Sequence, residues 1–187
     1  MNIKIRSSTQ ADLASISEVV ISAFGSEEGK IIFQLICDLL NDRTAQPLES
    51  LVAQIEENNQ PKIIGHILFT KVEIKGFEND VKASILCPLA VDKNYQNCGV
   101  GQSLIKKGLE ILTNNGVEFA FVLGYPTYYS KGGFTPAILA GFEPSYPIDP
   151  TQSDAWMIKR LNHNIDKPVK GRIICANSLQ KPEFWQE

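Results

Sequence analysis

The chain has no pair of cysteines at redox or metal-ligand spacing. Its four cysteines, Cys37, Cys87, Cys98 and Cys175, lie far apart, three of them in apolar segments. Neither a disulfide framework nor a metal site is expected, and reduced thiols in a cytoplasmic protein are. No basic block appears and the net charge is −3, so nucleic acid and anionic membrane surfaces lack a counter-charge here. No apolar run approaches the length needed to span a bilayer. Residues 1–6 alternate like a strand and carry no apolar signal-peptide block. Internal repeats, linkers and low-complexity tracts are also missing. There is no Gly-Lys-Ser/Thr phosphate loop, and Gln96 stands where a dinucleotide fingerprint needs its first glycine.

What is present reads as one domain over residues 1–187. The length suffices for a continuous core without staples, and the 43% hydrophobic and 21% charged fractions are those of an ordinary globular chain. Ile3 and Ile5 predict a first strand. Thr9 and Asp12 mark a helix start, and Leu13, Ile16, Val19, Val20 and Ala23 recur at helical spacing. The stretch from Gly25 to Gly29 is expected to break that helix. A second helix carries Ile32, Leu35, Ile36, Leu39 and Leu40 on one face. Residues 51–55 and 63–69 predict an antiparallel hairpin, the second strand running on toward 76, and residues 81–91 the next strand. Pro88 inside that strand demands a bulge or a missing neighbour, which would free backbone groups near Leu89 and Val91. A helix from Gly99 to Asn114 and an apolar strand from Glu118 to Leu123 complete a strand–helix–strand unit with parallel strands. Beyond Phe134 the prolines predict mostly loop, with late strands at 155–158 and 171–175.

The motif with chemical content is Gln96-Asn97-Cys98-Gly99-Val100-Gly101 at the entrance of that helix. Successive amides in a tight turn, added to the positive helix end, bind phosphate oxygens without lysine. Gly99 and Gly101 let the backbone approach an anion, and Ser103 could add a hydroxyl. The same glycines would also serve a sharp turn that binds nothing. Cys98 lies inside the turn with no base near it in sequence, and Cys87 reads as an apolar filler.

Leu89-Ala90-Val91 followed by Gln96-x-x-Gly99-x-Gly101, with Tyr129 five residues before Phe134, resembles the GNAT (GCN5-related N-acetyltransferase) superfamily. The runs Cys87 to Val91 and Val122 to Ser130 resemble its bacterial YhbS-like subgroup. The resemblance covers residues 3–134 and extends loosely to the C-terminus. It implies an α/β (mixed α+β) domain with a splayed mixed sheet and helices on both faces. It also implies an acetyl-CoA-dependent N-acetyltransferase that needs no metal. Acetyl-CoA would lie where the strands ending near Val91 and Leu123 part. Leu89, Ala90 and Val91 would hold the pantetheine arm, the Gln96–Gly101 turn with Ser103 the pyrophosphate, and Tyr129 would approach the sulfur.

One departure concerns the base. Relatives in that superfamily often carry a glutamate on the strand before Leu-Ala-Val. Ile85 stands at the matching position, and Ser84 to Val91 contains no carboxylate. Glu73, His66, Glu27 and Glu28 are the substitutes that could act through water, each read first as a solvated surface group. Tyr125 and Tyr128 read as cleft wall, with Tyr125 where relatives often carry an acid. The expected acceptor is an amine of a small molecule or peptide, and monomer and homodimer both remain open. Two rivals stand beside the enzyme. A non-catalytic acyl-CoA-binding module is motivated by the missing strand carboxylate, and a partner-binding scaffold by the proline-rich C-terminal third.

Overall fold

The computed structural model describes residues 1–78 and 80–185. The first strand is β1 (Lys4–Ser7). It is followed by a 3-10 turn, Gln10–Asp12, that runs into α1 (Leu13–Phe24). The Asp12 carboxylate accepts hydrogen bonds from the Thr9 amide at 2.7 Å and from the Arg6 guanidinium at 2.8 Å. The Arg6 contact, more than any other, holds that carboxyl well below the usual range.

Helix α2 (Ser26–Asn41) follows after a single non-helical residue, Gly25, whose φ of 85° favours glycine. The break is therefore one residue long, shorter than the expected 25–29. Gly29 lies inside α2, where a Cβ would come within 2.7 Å of the Ile21 Cα. That close approach packs the first turn of α2 onto α1, and it fixes Glu27 and Glu28 on a helix.

The sheet strands are β2 (Glu49–Glu57), β3 (Gln60–Ile74), β4 (Ala83–Val91), β5 (Phe119–Leu123), β6 (Thr135–Pro136), β7 (Phe142–Glu143), β8 (Trp156–Arg160) and β9 (Gly171–Cys175). Helix α3 (Val100–Asn114) lies between β4 and β5, and the short α4 (Pro126–Tyr129) follows β5. The spatial order is β1-β2-β3-β4-β5-β8-β6, with β9 paired to the far end of β3 and β7 to β9. β4–β5 and β7–β9 are parallel, and the other pairs are antiparallel. The loop-rich reading of residues 135–150 holds, apart from two-residue strands at 135–136 and 142–143.

Both faces of the central strands are covered. Along β2, Leu51 and Ala53 pack in the cluster that contains Val100, Leu104 and Ile105 of α3. Val52 between them joins Ile16, Val20 and Ile36 of α1 and α2. This period-two alternation between two apolar clusters is why β2 and β3 read as near-continuous hydrophobic runs. Gly108 allows α3 to lie directly on the Phe69 ring. A third cluster under β8 and β9 stacks Phe121 on Trp156, centroids 5.3 Å apart, and brings Trp185 within 5.8 Å of Trp156. Among the described residues no helix is long and apolar enough to cross a membrane.

Candidate active site

The site begins where two strands part. β4 pairs with β5 from Ala83 to Leu86, opposite Phe119 to Val122, and then continues with β3 alone as Leu89, Ala90 and Val91. Cys87 and Pro88 together face the single residue Leu68 of β3, so the expected bulge is present at Pro88. Pro88 has no N–H to lose on the open side. The Asp92 amide donates to Ile64 O at 3.0 Å. In an antiparallel ladder bonded pairs alternate, so Ala90 turns its backbone groups to β3 while Leu89 and Val91 turn theirs to the gap. The Val91 carbonyl is taken by the Gln96 side-chain amide at 3.1 Å.

Next comes the mouth of α3. Asn97 (φ 59°) and Gly99 (φ 82°) are both left-handed, and Gly99 is the N-cap without a capping side chain. The Ser103 amide returns to Gly99 O at 3.0 Å, while the amides of the three residues before it belong to the unsatisfied first turn. Nothing lies within 4 Å of where a Gly99 Cβ would be, so this turn is open. Gly101 is glycine for a different reason. A Cβ there would collide with the Tyr128 hydroxyl, which sits against the first turn of α3. Gln102 Nε2 donates to Tyr128 O at 3.2 Å, a second tie between α3 and α4. Burial raises the Tyr128 hydroxyl pKa, partly offset by a hydrogen bond with Gln102.

Tyr129 is buried, edge-on to Tyr128 at 5.1 Å and to Phe134 at 6.0 Å between centroids. Gly124 makes room for its ring, since a Cβ there would stand 2.5 Å from Tyr129 Cε2. Pro126 starts the short helix that carries both tyrosines.

Strand gap, α3 mouth and tyrosine turn all open into one cleft of about 720 Å3. Leu89, Val91, Gln96, Asn97, Gly99, Val100, Gly101 and Tyr129 line it. Three other expected residues do not. Ala90 is buried with Val20 and Ile36 on the opposite face of β4. Cys98 is exposed outside the cleft, and the Ser103 hydroxyl donates to Gly99 O at 2.9 Å. Ser103 thus ties the first helical turn back to Gly99.

The substitutes for a base separate clearly. His66 is fully buried, pushed down to about 4 by desolvation, with Nε2 at 3.0 Å from Ser50 Oγ. It is a neutral core residue away from the cleft. Glu73 is paired with Lys71 at 2.7 Å on the β9 side of the sheet. Glu27 does not reach the cleft, whereas Glu28 lines it. Ile85 forms part of the floor, 3% exposed. Burial pushes the Cys87 thiol up to about 12, so it is no nucleophile near neutral pH.

One wall was missed altogether by reading the sequence. Leu179, Glu183, Phe184 and Trp185 line the cleft from the C-terminal end of the chain. Trp185 Nε1 donates to Leu179 O at 2.9 Å, and the turn Pro182–Trp185 is tucked into the core by that ring. Asp42, just past α2, accepts from Ser178 N at 2.9 Å and Ser178 Oγ at 2.8 Å, and also from Thr44. Burial opposes ionisation of Asp42, yet the Thr44 and Ser178 hydrogen bonds win and hold its pKa at about 2. An aromatic pair near the C-terminus was the signal that could have pointed to this wall.

A splayed parallel strand pair thus opens onto an uncapped helix start, whose amides can take an anionic ligand. The GNAT acetyltransferase domain family matches residues 4–137, and the chain belongs to that family. The uncharacterized N-acetyltransferase YjhQ of Escherichia coli K12 is 39% identical over 170 residues, 90% of this chain and 89% of that protein. YhbS of the same strain is 31% identical over 80 residues, 43% of this chain and 47% of its own length. The crystal structure of E. coli YhbS in complex with CoA superposes with a TM-score of 0.82 at 25% identity, covering 97% of this chain and 93% of that one. A Brucella melitensis GNAT acetyltransferase in complex with acetyl-CoA shares the fold, with a TM-score of 0.71 at 24% identity over 96% of this chain and 99% of that one. Among the described residues no group of His, Cys, Asp and Glu is arranged to hold a metal ion.

Proposed function

We propose that this enzyme transfers the acetyl group of acetyl-CoA directly to an amine bound in the same cleft. The observation that carries this reading is the gap between β4 and β5 opening onto the uncapped start of α3. Bound there, acetyl-CoA supplies an activated acetyl group. The amides of the Gly99–Gly101 turn would hold its diphosphate, Gly99 allowing the closest approach. The gap-facing backbone of Leu89 and the Val91 amide would hold the pantetheine arm as an added strand and polarise the thioester carbonyl. Tyr129 would hydrogen-bond or protonate the departing thiolate, a modest task because a thiol near pKa 8.5 leaves readily.

A lysine-like amine near pKa 10.4 must lose a proton, which costs roughly 4–5 kcal/mol at pH 7. With an apolar floor at Ile85 and no carboxylate on that strand, the proton would leave through water at the open rim of the cleft. No covalent enzyme intermediate is needed. Single-turnover mass spectrometry with acetyl-CoA should detect no acetyl-cysteine on Cys87 or Cys98, and its appearance would overturn direct transfer. Free-CoA release over a panel of amines tests the whole reading, and amine-stimulated release is the expected outcome.

The same Ile85 floor favours one alternative, a non-catalytic acyl-CoA-binding module. That alternative predicts calorimetric binding of acetyl-CoA with no release stimulated by any amine.

A further inference from the structure

The cosubstrate's elements account for one side of the cleft, between β4, α3 and α4. The other side is built by the α1–α2 elbow and the C-terminal turn, and nothing about acetyl-CoA explains its composition. Its surfaces are apolar and largely aromatic, with Phe24, Ile32, Phe184 and Trp185 on the lining. Set into this apolar wall are two carboxylates, Glu28 and Glu183, the acids of the lining. Neither makes an ion pair or side-chain hydrogen bond among the described residues. The cation of the lining, Lys131, follows directly after the tyrosine helix, on the cosubstrate's side.

Both carboxylates stand on anchored backbone. Glu28 is in the first turn of α2, pressed onto α1 through Gly29. Glu183 is in the turn fixed by the Trp185 bond to Leu179 O and by the Asp42 clamp on Ser178. A solvated helix start would account for Glu27 as well as for Glu28, but Glu28 is the one turned to the cleft. The total volume is that of a small-molecule site, with the acceptor's share limited to a compact molecule.

We propose that this half of the cleft selects a small amine with an apolar body and a second positive charge, held by Glu28 and Glu183. This rests on the acetyl-transfer reading of the cleft. The carboxylates lie at the rim, where they bind the acceptor's distal ammonium and repel acceptors that carry a carboxylate. The apolar wall takes the methylene or aryl body. Discrimination therefore comes from charge placement on a body of fixed size.

The test uses two acceptors of matched length, 1,6-diaminohexane and 6-aminohexanoate, with acetyl-CoA binding measured separately by calorimetry. The wild-type enzyme should acetylate the diamine with kcat/KM at least tenfold above that for the amino acid. In the Glu28→Gln, Glu183→Gln double variant the ratio should fall to within threefold, through a higher diamine KM at little-changed kcat. Acetyl-CoA affinity should stay within twofold. Equal use of both acceptors by the wild type overturns the proposal, as does discrimination that survives in the double variant. Acetylation of neither by a protein that binds acetyl-CoA also overturns it, while leaving the cosubstrate assignment standing. Absence of acetyl-CoA binding would remove the underlying reading itself.

Discussion

The two halves of the cleft are built in different ways. The cosubstrate half is mostly backbone: a bulged strand, an uncapped helix start and a glycine turn, all within residues 85–134. The acceptor half is mostly side chains, gathered from residues 23–35 at one end of the chain and 179–185 at the other. A site made of backbone needs particular conformations, which glycine and proline write into a short stretch of sequence. A site made of side chains from distant segments needs only the fold. Tolerance should differ accordingly, since the second half can exchange its side chains without losing the helix mouth.

The largest effect tests whether the C-terminal wall is structural. Trp185→Ala removes a buried indole and its bond to Leu179 O, and should cost about 3 kcal/mol of unfolding free energy. Urea denaturation checks this. Acetyl-CoA affinity of the folded variant should hardly change while acceptor KM rises, and a parallel loss of both would erase the distinction between the halves.

Tyr129→Phe comes next. It should lower kcat roughly 100-fold with acetyl-CoA affinity preserved, read by steady-state kinetics beside calorimetry.

Gly101→Ala then probes the close approach of Tyr128. The new Cβ meets the Tyr128 hydroxyl, so acetyl-CoA affinity should fall about tenfold, roughly 1.4 kcal/mol. Adding Tyr128→Phe removes the colliding oxygen and should restore most of that loss. Additive losses in the double variant would show that Gly101 is needed for the ligand alone.

The smallest effect is on acid stability. The Asp42 pKa is depressed to about 2 in the folded chain, against about 3.9 unfolded. A depressed carboxylate stabilises above its unfolded pKa, and that contribution is lost as pH falls from about 4 through 2. After screening it amounts to about 1 kcal/mol. Asp42→Asn should flatten unfolding free energy over that window. His66, depressed to about 4 by burial, has the same sign, but its loss runs from about 6.5 down to 4 and so stays separable.

These differences also explain what could be read from sequence. The bulge at Pro88, the parallel strands flanking α3 and the turn at Gly99 follow from local rules, and the structure carries all three. Gly101 was legible as a glycine that must stay small, but its neighbour is Tyr128, 27 residues on, which no local pattern reveals. Ala90 belongs to the right stretch yet faces away, because a strand sends successive side chains to opposite faces, and the Ser103 hydroxyl turns back onto Gly99 O. Among four candidate bases, only tertiary placement separates Glu28 at the cleft from His66 in the core and Glu73 in an ion pair. The C-terminal wall escaped because prolines suggested loop, while its position depends on Asp42 and Trp156, far away in sequence.

Amide resonances of the α3 mouth give the most direct check on the central claim. In 1H–15N spectra CoA should shift the amides of Gly99, Val100, Gly101 and Gln102 strongly, whereas pantetheine, lacking the diphosphate, should leave them in place while moving Leu89 and Val91. If both ligands move the helix amides alike, or CoA leaves them unmoved, the diphosphate is held elsewhere and the account is contradicted.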